Sequence, residues 1–257
     1  MTSLTRKTSV DSEANRLLAA RGVKIVGYDL EDNLELLVSQ LKGIDILISC
    51  ITWEHLADQL LWIEAAKLAG VKRFVPSEWV GPAPRGVVDI KDKVILTLSF
   101  LSSSLELLVT NLYTYLPVSQ KLEILGAIQR AGLPYTLIDV GCWFQVFVPK
   151  VPSGRSDHAH SEYIDHRIVE DGNQKFALTD LADVGRYVAR IVSDPSTINR
   201  RVFAYTELLS MNEIWDVMGK VTGEDPVREY VSSPHRDIKH VFGFTEFPFF
   251  RWTGTEV

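Results

Sequence analysis

Cysteine is scarce in this chain. Only Cys50 and Cys142 occur among 257 residues, each in an apolar run. That excludes a disulfide framework and a CxxC metal site, and a reducing, cytoplasmic compartment fits best. A basic surplus is absent as well. Lys and Arg number 27 against 33 Asp and Glu, a net charge of -6. A nucleic-acid partner, whose phosphates call for a basic face, is therefore not expected. The opening MTSLTRKTSVDSEANR lacks the apolar core of a secretory signal. His158, His160, Glu162 and His166 fall close together in a polar stretch. Their spacing matches no closed zinc pattern, and no metal is expected. Ser77 and Glu78 have no histidine near them in sequence, and no G-x-S-x-G occurs, so a hydrolase triad finds no support. The first 60 residues also hold no G-x-G-x-x-G. Such a turn lets bare backbone approach a pyrophosphate at a helix N-terminus. A sheet lacking its opening strand and glycine-rich turn is the expectation.

What is present is the composition of an ordinary globular protein, 46% hydrophobic and 23% charged. Strands are expected at Val23 to Leu30, Ile44 to Ile51 and Val71 to Trp79. Helices are expected over Asp32 to Leu41 and Leu56 to Leu68. Strands alternating with helices over short connections predict α/β architecture with a doubly wound parallel sheet. A helix at Lys121 to Ala131 and a strand at Tyr135 to Val140 continue the pattern. A second, smaller α+β region is expected beyond, which divides the chain into 1–147 and 148–257. It carries a hairpin around Asp171-Gly172, a helix over Leu181 to Val192 and another over Asn212 to Val221. Ser210 and Glu213 form an S-x-x-E capping box for the last of these. The aromatic tail after His235 has no clear period.

Residues 94–120 interrupt the pattern. The segment is rich in Leu, Ser, Thr and Tyr, and Glu106 is its only charge. Three readings stand. A membrane helix suits the length, but Ser102, Ser103, Ser104, Glu106 and Asn111 make it polar, and no membrane association is expected. A lid or dimerisation insert is the second, although apolar loops of this length are uncommon. The third, which we favour, is a retained intron. Val94 is encoded GTN and Gln120 is compatible with CAG, and excision joins DIKDK to KLEILGAIQRAGLPYT.

With the segment set aside, GVKIVGYDLED, LKGIDILIS, DQLLWIEAAKLAGVKRFVPSEW, KLEILGAIQRAGLPYTLIDVGCWF and FALTDLADVGRYVARIVSDP carry a resemblance. The chain resembles the NmrA-like and isoflavone reductase-like family of atypical short-chain dehydrogenases, as a fungal-type member truncated at its N-terminus. VKRFVPSEW followed by the G-x-P-Y-T strand is the more specific part. The resemblance implies a Rossmann-type NADPH-binding domain, a substrate region, and reduction of phenolic or other small secondary metabolites.

Residue by residue, the resemblance places the family's catalytic lysine at Lys121, with Lys91 and Lys93 as near competitors. An ammonium there can donate to a developing oxyanion; a solvated helix lysine is the plain alternative. Arg6 and Lys7 match the basic pair that would meet the 2′-phosphate of NADPH, against the alternative of a frayed tail. Ser49, Ile51 and Thr52, then Pro76, Ser77 and Glu78, follow two strands and line the cofactor groove by the same analogy. Gly141, Cys142, Trp143 and Phe144 wall the nicotinamide and substrate pocket or simply pack. Cys142 has no base beside it and reads as packing. Asp29 faces the adenine side or caps its turn. Three functions follow: an NADPH-dependent reductase acting through Lys121, a non-catalytic dinucleotide sensor that contacts a regulatory partner, or an inactive product of an incomplete gene. A homodimer is compatible with any of them.

Overall fold

The computed structural model describes residues 1–29, 32–79, 120–161, 166–232 and 250–251. The amino-terminal unit pairs β1 (Thr2–Thr5) in parallel with β2 (Lys24–Gly27), with α1 (Glu13–Ala20) between them. Neither β1 nor α1 is evident from hydrophobic period: TSLT does not alternate, and EANRLLAA is half polar. The local signal is Ser12, whose side chain accepts from the Asn15 amide and caps α1. Arg6 and Lys7 thus directly follow a strand and are not part of a frayed tail.

The next unit follows the expected alternation with shorter strands. Asn33 caps α2 (Leu34–Leu41), which leads to β3 (Ile46–Ile48). A short 3-10 turn over Trp53–Asp58 enters α3 (Gln59–Ala69), and Gly70 ends it in the left-handed conformation at φ 77°. Then comes β4 (Arg73–Val75), parallel to β3. Helix α4 is described over 120–131, and β5 (Thr136–Asp139) meets β4 through a single parallel bridge between Phe74 and Tyr135. Apart from Gln120, the expectations for 94–120 lie outside the described residues, as do Lys91, Lys93 and Glu162.

Beyond residue 147 the chain contributes to the same layer. β9 (Arg200–Phe203) pairs in parallel with β5, and β12 (Phe250–Arg251) with β9. Among the described residues no ladder joins β1–β2 to β3–β4. Leu4 of β1 nevertheless packs on the core that contains Leu47 and Phe74.

Alternation along the strands sorts the core into two sides. Phe74 joins Leu37, Leu41, Trp62, Ile63, Ile124 and Ile128, from α2, α3 and α4. Val75, Ile138 and Val202 face α5 (Leu181–Ser193) and bury Ile191. A third cluster lies in the smaller region. It gathers Ile168, Phe176, Leu178, Ile214 and Trp215 between α6 (Met211–Thr222) and a mixed sheet. That sheet runs β10 (Glu207–Leu209), β8 (Phe176–Thr179), β6 (Cys142–Trp143), while β7 (Ile168–Val169) pairs with β11 (Tyr230–Val231).

The hairpin expected at Asp171-Gly172 does not form. Gly172 makes a turn at φ 70°, but β7 and β8 join different sheets. Asn212 captures the turn instead: its Nδ2 donates to the Asp171 carbonyl and its backbone N–H to that of Gly172. A Cβ on Gly172 would lie 2.3 Å from the Ile168 side chain, so the tie to α6 admits only glycine. The capping box of Ser210 and Glu213 is present as expected. Among the described residues no helix is long and apolar enough to cross a membrane.

Candidate active site

In an open parallel sheet, ligands bind beyond the carboxyl ends of the strands. Here those ends are Arg6 after β1, Asp29 after β2, Ser49 after β3, Pro76 to Glu78 after β4, and Asp139 to Cys142 at β5. Three of these turns are stitched together. The backbone N–H of Ser77 donates to buried Gln59 Oε1 at 2.8 Å, and its hydroxyl donates to the Ile51 carbonyl at 2.8 Å. Trp79 Nε1 donates to the Ser49 carbonyl at 2.9 Å, and Trp143 Nε1 to the Trp79 carbonyl at 3.1 Å. The two indoles therefore bind the ends of β3, β4 and β6 into one rim. Ser49 Oγ is buried there without a hydrogen-bond partner among the described residues. Thr52 is exposed at the start of its 3-10 turn.

Behind this rim lie four charged side chains. Glu78 is 2% exposed and Asp139 is fully buried. Arg201 Nη1, from β9, contacts Asp139 Oδ2 at 2.5 Å and Glu78 Oε2 at 3.4 Å. Lys121, in α4, places Nζ 3.8 Å from Glu78 Oε2 and 3.5 Å from the Glu78 carbonyl. Asp139 Oδ1 has no hydrogen-bond partner among the described residues. Burial lifts the Glu78 carboxyl to about 7; Lys121 and Arg201 pull it down and Asp139 pushes it up. Burial likewise raises Asp139, against the pull of Arg201.

The other expected residues lie elsewhere. Lys7, exposed, pairs with Asp32 at 2.5 Å and Asp29 at 3.9 Å, and its backbone N–H donates to Asp29 Oδ1 at 3.0 Å. Arg6 makes no side-chain contact of that kind among the described residues. Cys142 and Phe144 pack on the third core cluster, and burial pushes the Cys142 thiol up to about 11, which leaves it protonated and inert. His160 and His166 lie ring to ring at 3.9 Å, each bonded to a carbonyl, of Val148 and Ser161 respectively. Among the described residues no three metal-binding groups converge.

Sequence reading brought Glu78 and Lys121 to the site but missed Gln59, Trp79, Asp139 and Arg201. One member of the charged pair did leave a signal: Asp139 ends a strand whose four residues are all buried, where a lone charge is rarely tolerated, whereas Arg201 follows exposed Arg200 in a half-exposed start of β9.

A model of the NmrA-like family matches residues 1–91 and 112–249. The chain belongs to the NmrA-like family. Among curated relatives of this NmrA-like chain is asnovolin J 5′,6′-dehydrogenase of Aspergillus novofumigatus. It is 42% identical over 234 residues, which are 90% of this chain and 63% of that protein. Eugenol synthase 1 of Petunia hybrida is 32% identical over 214 residues, 82% and 61% of the two chains. This chain thus spans less than two thirds of either relative. A crystal structure of isoflavone reductase superposes with a TM-score of 0.63 at 26% identity, covering 96% of this chain and 75% of the other. The binary complex of leucoanthocyanidin reductase with NADPH from Vitis vinifera gives 0.66 at 21% identity, over 90% and 69%, and shares the fold.

The residues at the strand ends fit part of NADPH. Arg6 offers an exposed cation beyond β1, suited to a 2′-phosphate. Ser49 Oγ has hydrogen-bonding capacity to spare, and the Lys121 ammonium lies near the ends of β4 and β5. No glycine-rich turn is present for the pyrophosphate.

Proposed function

We propose that this NmrA-like chain contributes to an NADPH-dependent oxidoreductase that reduces a small phenolic or other secondary metabolite, with Lys121 as proton donor. One observation carries the reading: a mostly buried lysine is held at the carboxyl edge of the sheet by an almost fully buried carboxylate. Arg6 and Lys7 would bind the 2′-phosphate. Ser49, Ile51, Thr52, Pro76 and Ser77 would line the groove, with Cys142 and Phe144 behind the nicotinamide. When bound, NADPH supplies the hydride. The Lys121 ammonium orients the substrate oxygen and gives it a proton as negative charge develops there. The mixed sheet β6–β8–β10 and α6 would form the substrate side. The acidic charge balance supports a protein that acts on small molecules and not on nucleic acid, and the scarcity of cysteine supports a reducing, cytoplasmic compartment. The family match passes over 92–111 and resumes at 112, so it supports reading 94–111, but not 112–120, as foreign to the fold.

The test is turnover of Lys121→Met on phenolic substrates at saturating NADPH. Loss of about a hundredfold or more in kcat is expected, the scale of general acid catalysis. Unchanged turnover would remove Lys121 from the chemistry. Fluorescence titration should also show weak NADPH binding, because the pyrophosphate lacks its glycine cradle.

A further inference from the structure

Lys121 does not stand at the strand ends by itself. Glu78 touches it with two atoms, Oε2 and the main-chain carbonyl. The main chain of Glu78 is itself fixed, since the neighbouring Ser77 is clamped to Gln59 and Ile51. Asp139 gives its Oδ2 to Arg201, so Glu78 Oε2 is the one carboxylate oxygen of the cluster in contact with both cations. Among the described residues, the charged groups acting on Glu78 are Lys121 from α4, Asp139 from β5 and Arg201 from β9.

We propose that Glu78 is the positioning residue of Lys121, that Arg201 and Asp139 hold Glu78 in place, and that Glu78 returns to Lys121 the proton given to substrate. The proposal rests on the reading of Lys121 as the acid. The proton balance closes. An N–H bond of Lys121 breaks as an O–H bond forms on the substrate oxyanion. The amine left behind takes the proton of the Glu78 carboxyl, so that O–H bond breaks and the N–H bond is restored. The carboxylate formed is held by Lys121 and Arg201 until solvent reprotonates it. A carboxyl that titrates near neutrality suits this return, because it can be protonated before the step and ionised after it.

The test reads Glu78 directly, by carbon-13 NMR of chain labelled at the glutamate carboxyl, with the resonance assigned by its loss in Glu78→Gln and in Glu78→Asp. In Lys121→Met the Glu78 midpoint should rise by about one pH unit or more, since the neighbouring cation is gone. An unmoved midpoint overturns the proposal, and no turnover is needed to see it. In the active protein, Glu78→Gln should lower kcat by about tenfold and flatten its pH profile near neutrality, with Glu78→Asp recovering part of the loss. A full rate and unchanged profile in Glu78→Gln also overturn it. A shifted Glu78 midpoint together with full activity in Lys121→Met would instead reject the reading of Lys121 as the acid, and with it the proton return.

Discussion

Two sets of ion pairs sit past the ends of parallel strands in this molecule, and they differ in one respect that matters. Lys7, Asp29 and Asp32 meet at the ends of β1 and β2, where the Lys7 side chain is 52% exposed. Lys121, Glu78, Arg201 and Asp139 meet at the ends of β4 and β5, where both carboxylates are buried. Water and salt solvate the first set, so its members depend little on one another. In the second set the two carboxylates are shut away from water and, among the described residues, meet the cations Lys121 and Arg201. Each charge there is tolerable because the others are present, and removing one strands its partners. Burial raises the titration of Glu78, and the pull of Lys121 against that rise ties the two together. Burial therefore separates a solvated cluster, whose charges act one by one, from a cluster whose charges act together.

Removing the cation that joins both carboxylates should do the most damage. Among the described residues, Arg201→Met leaves Asp139 without an ion-pair partner and Glu78 with Lys121 alone. A loss of about 3–5 kcal/mol in urea unfolding is expected, the scale of a broken buried pair. A loss no greater than that of an exposed pair would erase the contrast between the two sets.

The pH dependence sharpens the contrast. Burial raises Glu78 from an ordinary 4.5 to about 7, so between those values the folded chain binds the proton that the unfolded chain has released. Its contribution to stability is then fully present below about 4.5 and is lost as pH rises through about 7. Asp139, also raised, acts in the same direction. Unfolding free energy should fall across that window, and Glu78→Gln should flatten the fall. Asp32 has the opposite sign: the Lys7 hydrogen bond holds it below its usual range, so its contribution is lost as pH falls. A profile that is flat in the parent chain would contradict the burial of Glu78.

The sequence made the alternation of β3, α3, β4, α4 and β5 legible because each element is apolar on the period of its own geometry. Ile46 to Ile48 lie within the longer apolar run of Ile44 to Ile51 and Arg73 to Val75 within the expected strand of Val71 to Trp79, so only their ends were misjudged. Strand β1 was invisible because its four residues are half-buried, with little contrast between faces. The hairpin at Gly172 failed for another reason: the glycine is needed, but for a contact with Asn212 forty residues on, which no local pattern encodes. The site divides in the same way. Lys121 and Glu78 were found by their neighbours in sequence. Arg201 was not, because it reaches Glu78 and Asp139 from a strand that follows 123 and 62 residues later.

A neutral contact gives the scale between the two sets. Ser210 caps α6 by accepting the Glu213 amide at 3.2 Å, and it is nearly buried. Ser210→Ala should cost about 1 kcal/mol. The measurement is the shift in urea midpoint at constant slope, and a value near that of Arg201→Met would mean that the cap, and not the charge cluster, dominates local stability.

The smallest effect should come from Lys7→Met. The aliphatic stem of Lys7 runs beside Gly27, where a Cβ would lie 3.2 Å from Lys7 Cγ, and methionine keeps that stem while removing the charge. Asp32 retains its bond from the Asp29 backbone N–H at 2.8 Å, and its side chain, 17% exposed, still reaches water. Its carboxyl should therefore titrate at a higher pH in the variant, because its largest lowering influence is gone, while the urea midpoint at neutral pH stays in place. Both can be read on one protein, by NMR titration of Asp32 and by unfolding. The combination is diagnostic: a shift in the titration proves that the pair existed, and the unmoved midpoint shows that solvent replaces it. A midpoint that fell as far as in Arg201→Met would place the two clusters on the same footing, and the distinction drawn from burial would no longer hold.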